Sequence, residues 1–418
     1  MDKSESKMSI SLFDDIIFLL FAFWLIVDSL NGFLLRNGSP VSVSQIYKLL
    51  VALIVLVRCC NCISIIQFVL FSIAYLSIYI VNLICLGEKI DSSVILLSKL
   101  LTTIIFFIYF IQIRNTNAIY FKKEAYLVLT TSFVVFAINL TLGCLGWGFR
   151  SYGGSEGFGS RGFFYAINEL TGVLIVLIPW AFYYVKTNYS FKLYLLFSAI
   201  LFFFSYTLST KSGIVATLLS CLLIAYLYGN KIEKRIVLFA FILLILGAFT
   251  IIQIIINSEL PLVRRISYFI DNNGIINALT SNRFLFWAEE KADFYNASIF
   301  TQLLGLGGGR TVEMDPFDAL LNCGFVGLTF LLCMYVILLL RPICKKYIYC
   351  KYNKVIFISN FFLILMSIGG GHVMFSSMAG MLIALSNALL IDNRKELLIK
   401  RILIFIIAKK LQIKVQTQ

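Results

Sequence analysis

Apolar residues run through this chain in long unbroken stretches, near 12–35, 41–57, 62–86, 93–113, 125–146, 164–185, 191–208, 212–229, 236–256, 316–340, 355–371 and 373–391. A helix rises about 1.5 Å per residue, so crossing the hydrocarbon of a bilayer takes roughly 20 apolar residues. The pattern predicts about twelve membrane-spanning helices. It excludes a transmembrane barrel, whose strands alternate apolar and polar residues over segments of about ten. Two neighbouring pairs of runs are barely separated. Ser209-Thr210-Lys211-Ser212 divides one pair, and Gly369-Gly370-Gly371-His372 divides the last, which reads as a tight hairpin or a broken pair. The first run is too long for a signal-peptide core and lacks a small-residue cleavage site, so it is expected to stay as the first helix. No internal repeat is visible.

Composition agrees with this pattern. Hydrophobic types make up 60 % and charged types 13 % of the 418 residues, with a mean hydropathy of +0.93. A soluble domain carries about 45–50 % apolar and about 25 % charged residues. The net charge of +14 would point to nucleic acid in a soluble protein. Here it reads as the positive-inside bias of a membrane protein, and no nucleic-acid partner is expected. With a cytoplasmic N-terminus, 23 of the 35 Lys and Arg fall on the cytoplasmic side. Ten fall outside, and Lys48 and Lys99 lie within apolar runs. Both termini are therefore expected in the cytoplasm. Of the ten cysteines, Cys59, Cys60 and Cys62 cluster at a helix end and the others are scattered, and together they form no disulfide framework or zinc spacing. With His372 the sole histidine, no metal and no cofactor are expected.

The expected organisation is nine helices within 1–256, a large external loop at 257–315, three helices within 316–391, and a basic tail at 392–418. The tail mixes Leu and Ile with Lys and Arg, so it reads either as a helix on the inner head groups or as a plain basic tail. Two external segments stand out. The loop 147–163 is rich in Gly and Ser and carries Arg150 and Arg161. In the large loop, Pro261 opens a first helical stretch that holds Arg264 and Arg265, and a second lies near 282–296. There Arg283 and Trp287, four apart, share a face on which guanidinium and indole could stack. Gly305, Gly307, Gly308 and Gly309 precede Arg310. No Gly-Lys-Ser/Thr follows, so this is no P-loop, but successive free N–H groups can still cup an anion.

Arginine forks match phosphate oxygens in pairs, and arginine outside runs against the positive-inside bias. Arg283 and Arg310, framed by aromatic or glycine neighbours, are the leading candidates. Arg150, Arg161, Arg264, Arg265 and Lys211 are secondary ones. Asp315-Pro316 reads as a helix start, with Asp315 the cap and Asp318 bonding back to it. Glu313 has no capping role and is the acid–base candidate. Near the outer ends of membrane helices lie Asp28, Asn168 and Glu169, and an intramembrane carboxylate is a site candidate by default. A lone His372 after three glycines reads as structural.

With these residues in view, the chain resembles the O-antigen and capsule polymerase family (Wzy type), relatives of the O-antigen ligases. The resemblance rests on GFFYAINELTGVLIVLIP (162–179), SYTLSTKSGIVATLL (205–219), SNRFLFW (281–287) and GLGGGRTVEMDPFDALLNCGFVGL (305–328), in that order, and covers roughly 125–391. It implies a membrane glycosyltransferase fold of the GT-C kind in the bacterial inner membrane. The implied activity moves a growing glycan from undecaprenyl pyrophosphate to the non-reducing end of a new lipid-linked repeat unit, on the periplasmic face. It also implies membrane lipids and a chain-length regulator (Wzz type) as partners. The external arginines would hold the pyrophosphate, with Asn168, Glu169, Asp315 and Asp318 among the substrate-binding residues. Ligases of this superfamily carry a histidine in the long external loop. This chain has none there, which favours the polymerase. The ligase and a lipid-linked oligosaccharide flippase remain the alternatives.

Overall fold

In the computed structural model, the described residues are 10–88, 90–152, 158–256, 268, 274, 277 and 280–391. The Pro261 stretch with Arg264 and Arg265, and the tail at 392–418, lie outside them. The first ten helices are α1 (Leu12–Ala22), α2 (Trp24–Arg36), α3 (Val43–Arg58), α4 (Ile63–Leu86), α5 (Ile90–Thr116), α6 (Ala118–Cys144), α7 (Ile167–Asn188), α8 (Phe191–Leu208), α9 (Lys211–Tyr228) and α10 (Lys231–Ile256). After them come two short helices, α11 (Arg283–Asn296) and α12 (Ile299–Leu304). The last three are α13 (Asp315–Ile343), α14 (Asn353–Gly370) and α15 (Ser377–Ala388). Among the described residues, eight helices are long and apolar enough to cross a membrane, or nine if the pair α1 and α2, bent by 42°, is one span. The protein is an all-α polytopic membrane protein. Among the described residues, the exception to α is a small antiparallel ribbon, β1 (Phe149–Arg150) with β2 (Ser160–Gly162), inside the Gly-rich loop.

Helix α7 is the central one, with 78 % of its apolar stretch buried, against 17 % for α4. Its neighbours are α8, α9, α14 and α15, and α15 also packs on α5. A helix apolar all round belongs inside a bundle or facing lipid. Here α7 does the first, while Leu70, Phe71 and Leu246 stand exposed on outer helices, as lipid-facing residues must. An aromatic cluster ties α1, α2, α5 and α6 together: Phe21 lies 4.9 Å from Phe110 and 5.0 Å from Phe106, Trp24 lies 5.4 Å from Phe106, and Phe110 lies 6.1 Å from Phe121, ring to ring.

With α1 and α2 taken as one bent span, the ends of the long helices gather in two groups. At one end Arg58 grips Asp14 with two bonds, 2.8 and 2.9 Å. There too Arg114 caps the carbonyls of Ala388 and Leu390, and Lys186 pairs with Glu233 at 2.9 Å. Arg114 thereby satisfies orphan carbonyls after α15, where a cation is favoured. The other end carries the ribbon, α11, α12 and the turn between α14 and α15.

Helix α13 is broken at Gly324, whose backbone (φ 64, ψ −164) is open only to glycine. A break inside an apolar span frees carbonyls that hydrocarbon cannot satisfy. Protein groups satisfy them here. The N–H of Leu306 donates to Leu321 O at 2.7 Å, and the Tyr79 hydroxyl donates to Asn322 O at 2.6 Å. A Cβ on Gly324 would come within 2.3 Å of Leu303 O, so the break is also where α12 docks.

Candidate functional site

The turn from Gly369 to Ser377 is where the polar side chains converge. Arg283, at the start of α11, donates through Nη1 to Gly369 O at 2.9 Å and to Thr280 O at 3.3 Å. It thereby caps the negative end of α14. Its Nη2 donates to Glu313 Oε2 at 3.1 Å, and its Nε is buried without a partner. The Arg283 side chain is 11 % exposed, while that of Glu313 is 46 % exposed. The expected stacking on Trp287 is not what forms: the indole stacks on Phe317 at 4.4 Å instead. The fork of Arg283 has carbonyls and a carboxylate to satisfy, which outweighs a ring face.

Asp315 and Asp318 are fully buried. The capping expected of Asp315 is corrected. The cap position is Met314, with no side-chain cap bond. Instead the Asp315 carboxylate accepts the N–H groups of Val373 (3.1 Å) and Met374 (2.8 Å) and the hydroxyl of Ser367. The turn at 371–374 packs against this helix start and offers free donors there. Asp318 accepts the N–H of Val312 at 2.6 Å, so it closes the loop before the cap and not the cap itself. Asp315, Asp318 and His372 each bring one ligand atom within 4.8 Å of the others. His372 also meets the Thr311 hydroxyl at 3.3 Å.

Four residues beyond His372, at Ser376, begins a charged track that is half-buried at Glu169 and Lys99 and buried at Lys48 and Asp28. The Ser376 hydroxyl accepts the N–H of Ala379 at 3.1 Å as the cap of α15, and donates to Glu169 Oε2 at 2.9 Å. Glu169 pairs with Lys99 at 3.2 Å. Lys48 donates to Ser377 at 3.1 Å and to Asp28 at 2.6 Å, and lies 5.2 Å from the Trp24 ring centre. Opposite charges inside a bundle lose their hydration, and only their mutual attraction and neighbouring hydrogen bonds offset that loss. Asn168 sits half-buried beside Glu169.

The remaining candidates stand elsewhere. Arg310 is held by three carboxylates, Glu290 at 2.8 Å, Asp293 at 2.9 Å and Glu88 at 3.3 Å. These bonds, that to Asp293 foremost, hold its guanidinium above its ordinary pKa. Arg161 is buried in β2 and donates to Tyr165 O. Burial and then Arg36 push its pKa down. Arg150 is exposed in β1, and Lys211 reaches Ser281 at 3.4 Å. The structure therefore brings Arg283, Glu313, Asp315, Asp318 and Glu169 to one turn, and places Arg310, Arg150, Arg161 and Lys211 outside it.

Sequence reasoning set aside His372, Lys48 and Lys99. The signal for the two lysines was present: Asp28, Lys48, Lys99 and Glu169 are two charges of each sign in apolar runs, and such charges must pair. No signal in the chain ties His372 to Asp318 across the intervening helices.

Fold and site together define a multi-pass membrane protein with a buried ionic cluster at one end of its helical bundle. No family model, curated protein or solved structure matches the chain.

Proposed function

We propose that the chain is a surface-polysaccharide polymerase, a glycosyltransferase with about twelve spans and a GT-C-like fold. Its termini face the cytoplasm and its site opens on the periplasm. The observation that carries this reading is the Arg283–Glu313 pair, in which a largely buried guanidinium holds a half-exposed carboxylate at the mouth of the ionic cluster. An anionic diphosphate can take the place of Glu313 on Nη2, and the displaced carboxylate is then free beside it. In the reaction, the acceptor hydroxyl oxygen bonds to the anomeric carbon of the donor glycan. The bond from that carbon to the diphosphate oxygen breaks, its electron pair stays on the diphosphate, and the hydroxyl proton passes to Glu313. Arg283 stabilises the charge that grows on the leaving group, which is where fixed cations lower a barrier most. The sequence resemblance supplies the substrate class, undecaprenyl-pyrophosphate-linked repeat units.

A second reading has its own observation. The pairs Lys48–Asp28 and Lys99–Glu169 lie within apolar helices, and such groups mark transport paths as well as active sites. One experiment separates the readings, the surface-polysaccharide ladder of a deletion strain. A single repeat unit on lipid A-core is expected for the polymerase. Long polymer stranded on the lipid carrier would mean a ligase, and repeat units trapped on the inner leaflet would mean a flippase.

A further inference from the structure

We propose that Asp315, Asp318 and His372 bind one divalent cation, of the class that takes mixed carboxylate and imidazole ligands, such as Mn2+ or Zn2+. The proposal does not depend on the polysaccharide reading.

The ligand atoms lie within 4.8 Å of one another. A cation bound at about 2.0–2.2 Å places its ligands about 3 to 4.3 Å apart, for neighbouring and opposite positions. The cluster needs only a small contraction. The second observation concerns the oxygens. Asp315 Oδ1 and Asp318 Oδ2 are buried and meet no hydrogen-bond donor. Buried carboxylate oxygens are ordinarily satisfied, and two neighbouring buried carboxylates need either a cation or a shared proton between them. The nearest arginine does not supply the cation, because the bonds made by Arg283 go to Gly369, Thr280 and Glu313. The oxygens already engaged fix the carboxylates as metal ligands are usually fixed. Asp315 Oδ2 accepts Val373 and Met374 N–H, and Asp318 Oδ1 accepts Val312 N–H. Such outer contacts orient ligands toward the ion. His372 is only half-buried, which leaves an entry path from the loop side. Asp315 and Asp318, three apart on one helical face, come from one element, and the histidine comes from the turn after α14. An ion there would pin that turn to α13, next to Arg283.

The full chain, purified in detergent and stripped with EDTA, is titrated with MnCl2 while free Mn2+ is followed by electron paramagnetic resonance. A zinc titration read by elemental analysis accompanies it. One ion per chain is expected. Asp318→Asn keeps the acceptor for Val312 N–H, and should weaken binding at least tenfold, as should His372→Gln. Asp293→Asn, at the exposed Arg310 cluster, should bind as the wild type does. If Asp318→Asn fails to give a monodisperse peak, His372→Gln on its half-exposed side chain carries the test. Absence of stoichiometric Mn2+ and Zn2+ in the wild type overturns the proposal and assigns a shared proton to the two carboxylates. Binding unaffected by the substitutions overturns it equally.

Discussion

Arg283 and Arg310 carry the same charge and frame the same glycine-rich loop, yet their surroundings assign them different work. Arg310 meets three carboxylates, so an incoming anion would have to displace all of them. Its side chain is 25 % exposed, and each exposed arm of such a network is worth about 1 kcal/mol or less. Arg310→Ala is expected to lower the melting temperature of the detergent-solubilised protein by a few degrees while polymer of near-normal length persists. Arg283 holds one half-exposed carboxylate and two carbonyls. Its fork cannot be reproduced by a single ammonium. Both Arg283→Ala and Arg283→Lys are therefore expected to cut polymer formation by on the order of 100-fold or more, the scale seen when one preorganised donor is lost. Normal ladders from an Arg283→Ala strain would remove Arg283 from the chemistry.

At the scale of elements, two glycines decide whether the site can assemble. Gly324 breaks α13 so that α12 can dock, and Gly371 (φ 57) lets the turn after α14 touch the chain at Glu313, whose carbonyl oxygen would sit 2.0 Å from an added Cβ. Each left-handed position costs a residue with a side chain about 1–3 kcal/mol before any clash is counted. Gly371→Ala is expected to push the turn off Glu313, separating His372 from Asp318, and to lower the thermal stability of the purified protein. An unchanged melting curve would show that the turn is not held there.

These glycines also mark what the sequence could convey. Every apolar run predicted from hydropathy is helical in the structure, and the helical stretch expected near 282–296 is α11, because period and length are local properties. The break at Gly324 leaves no local trace, since the glycine sits inside an unbroken apolar run and the donors that satisfy the freed carbonyls come from α4 and the Gly305–Gly307 loop. The site was half legible. Charges in a loop and carboxylates at a helix start announce themselves as candidates, which is how Arg283, Glu313, Asp315, Asp318 and Glu169 could be named. Whether Arg310 is free or neutralised depends on Glu88 and Glu290, far apart in the chain, and only the tertiary fold brings them together.

For the whole molecule, the segregation of its two ends bears on sidedness. One end collects Arg58, Arg114, Lys186 and Arg341, with Arg341 lying over the Phe107 ring at 4.6 Å. The other holds the ionic cluster and the ribbon. Basic residues favour the cytoplasmic leaflet, both through the insertion bias and through anionic head groups worth about 1 kcal/mol per cation near the surface. The cluster end should then face the periplasm, the side on which the proposed reaction would join lipid-linked repeat units. Native cysteines mark both ends: Cys144 closes α6 at the cluster end, and Cys344 follows α13 at the basic end, and both are exposed. In variants that retain one cysteine each, a membrane-impermeant maleimide applied to spheroplasts should label Cys144 and leave Cys344 unmodified until the membrane is opened. Labelling of Cys344 alone would invert the bundle. The ionic cluster would then face nucleotide-sugar chemistry in the cytoplasm, and the polymerase reading would lose its substrate.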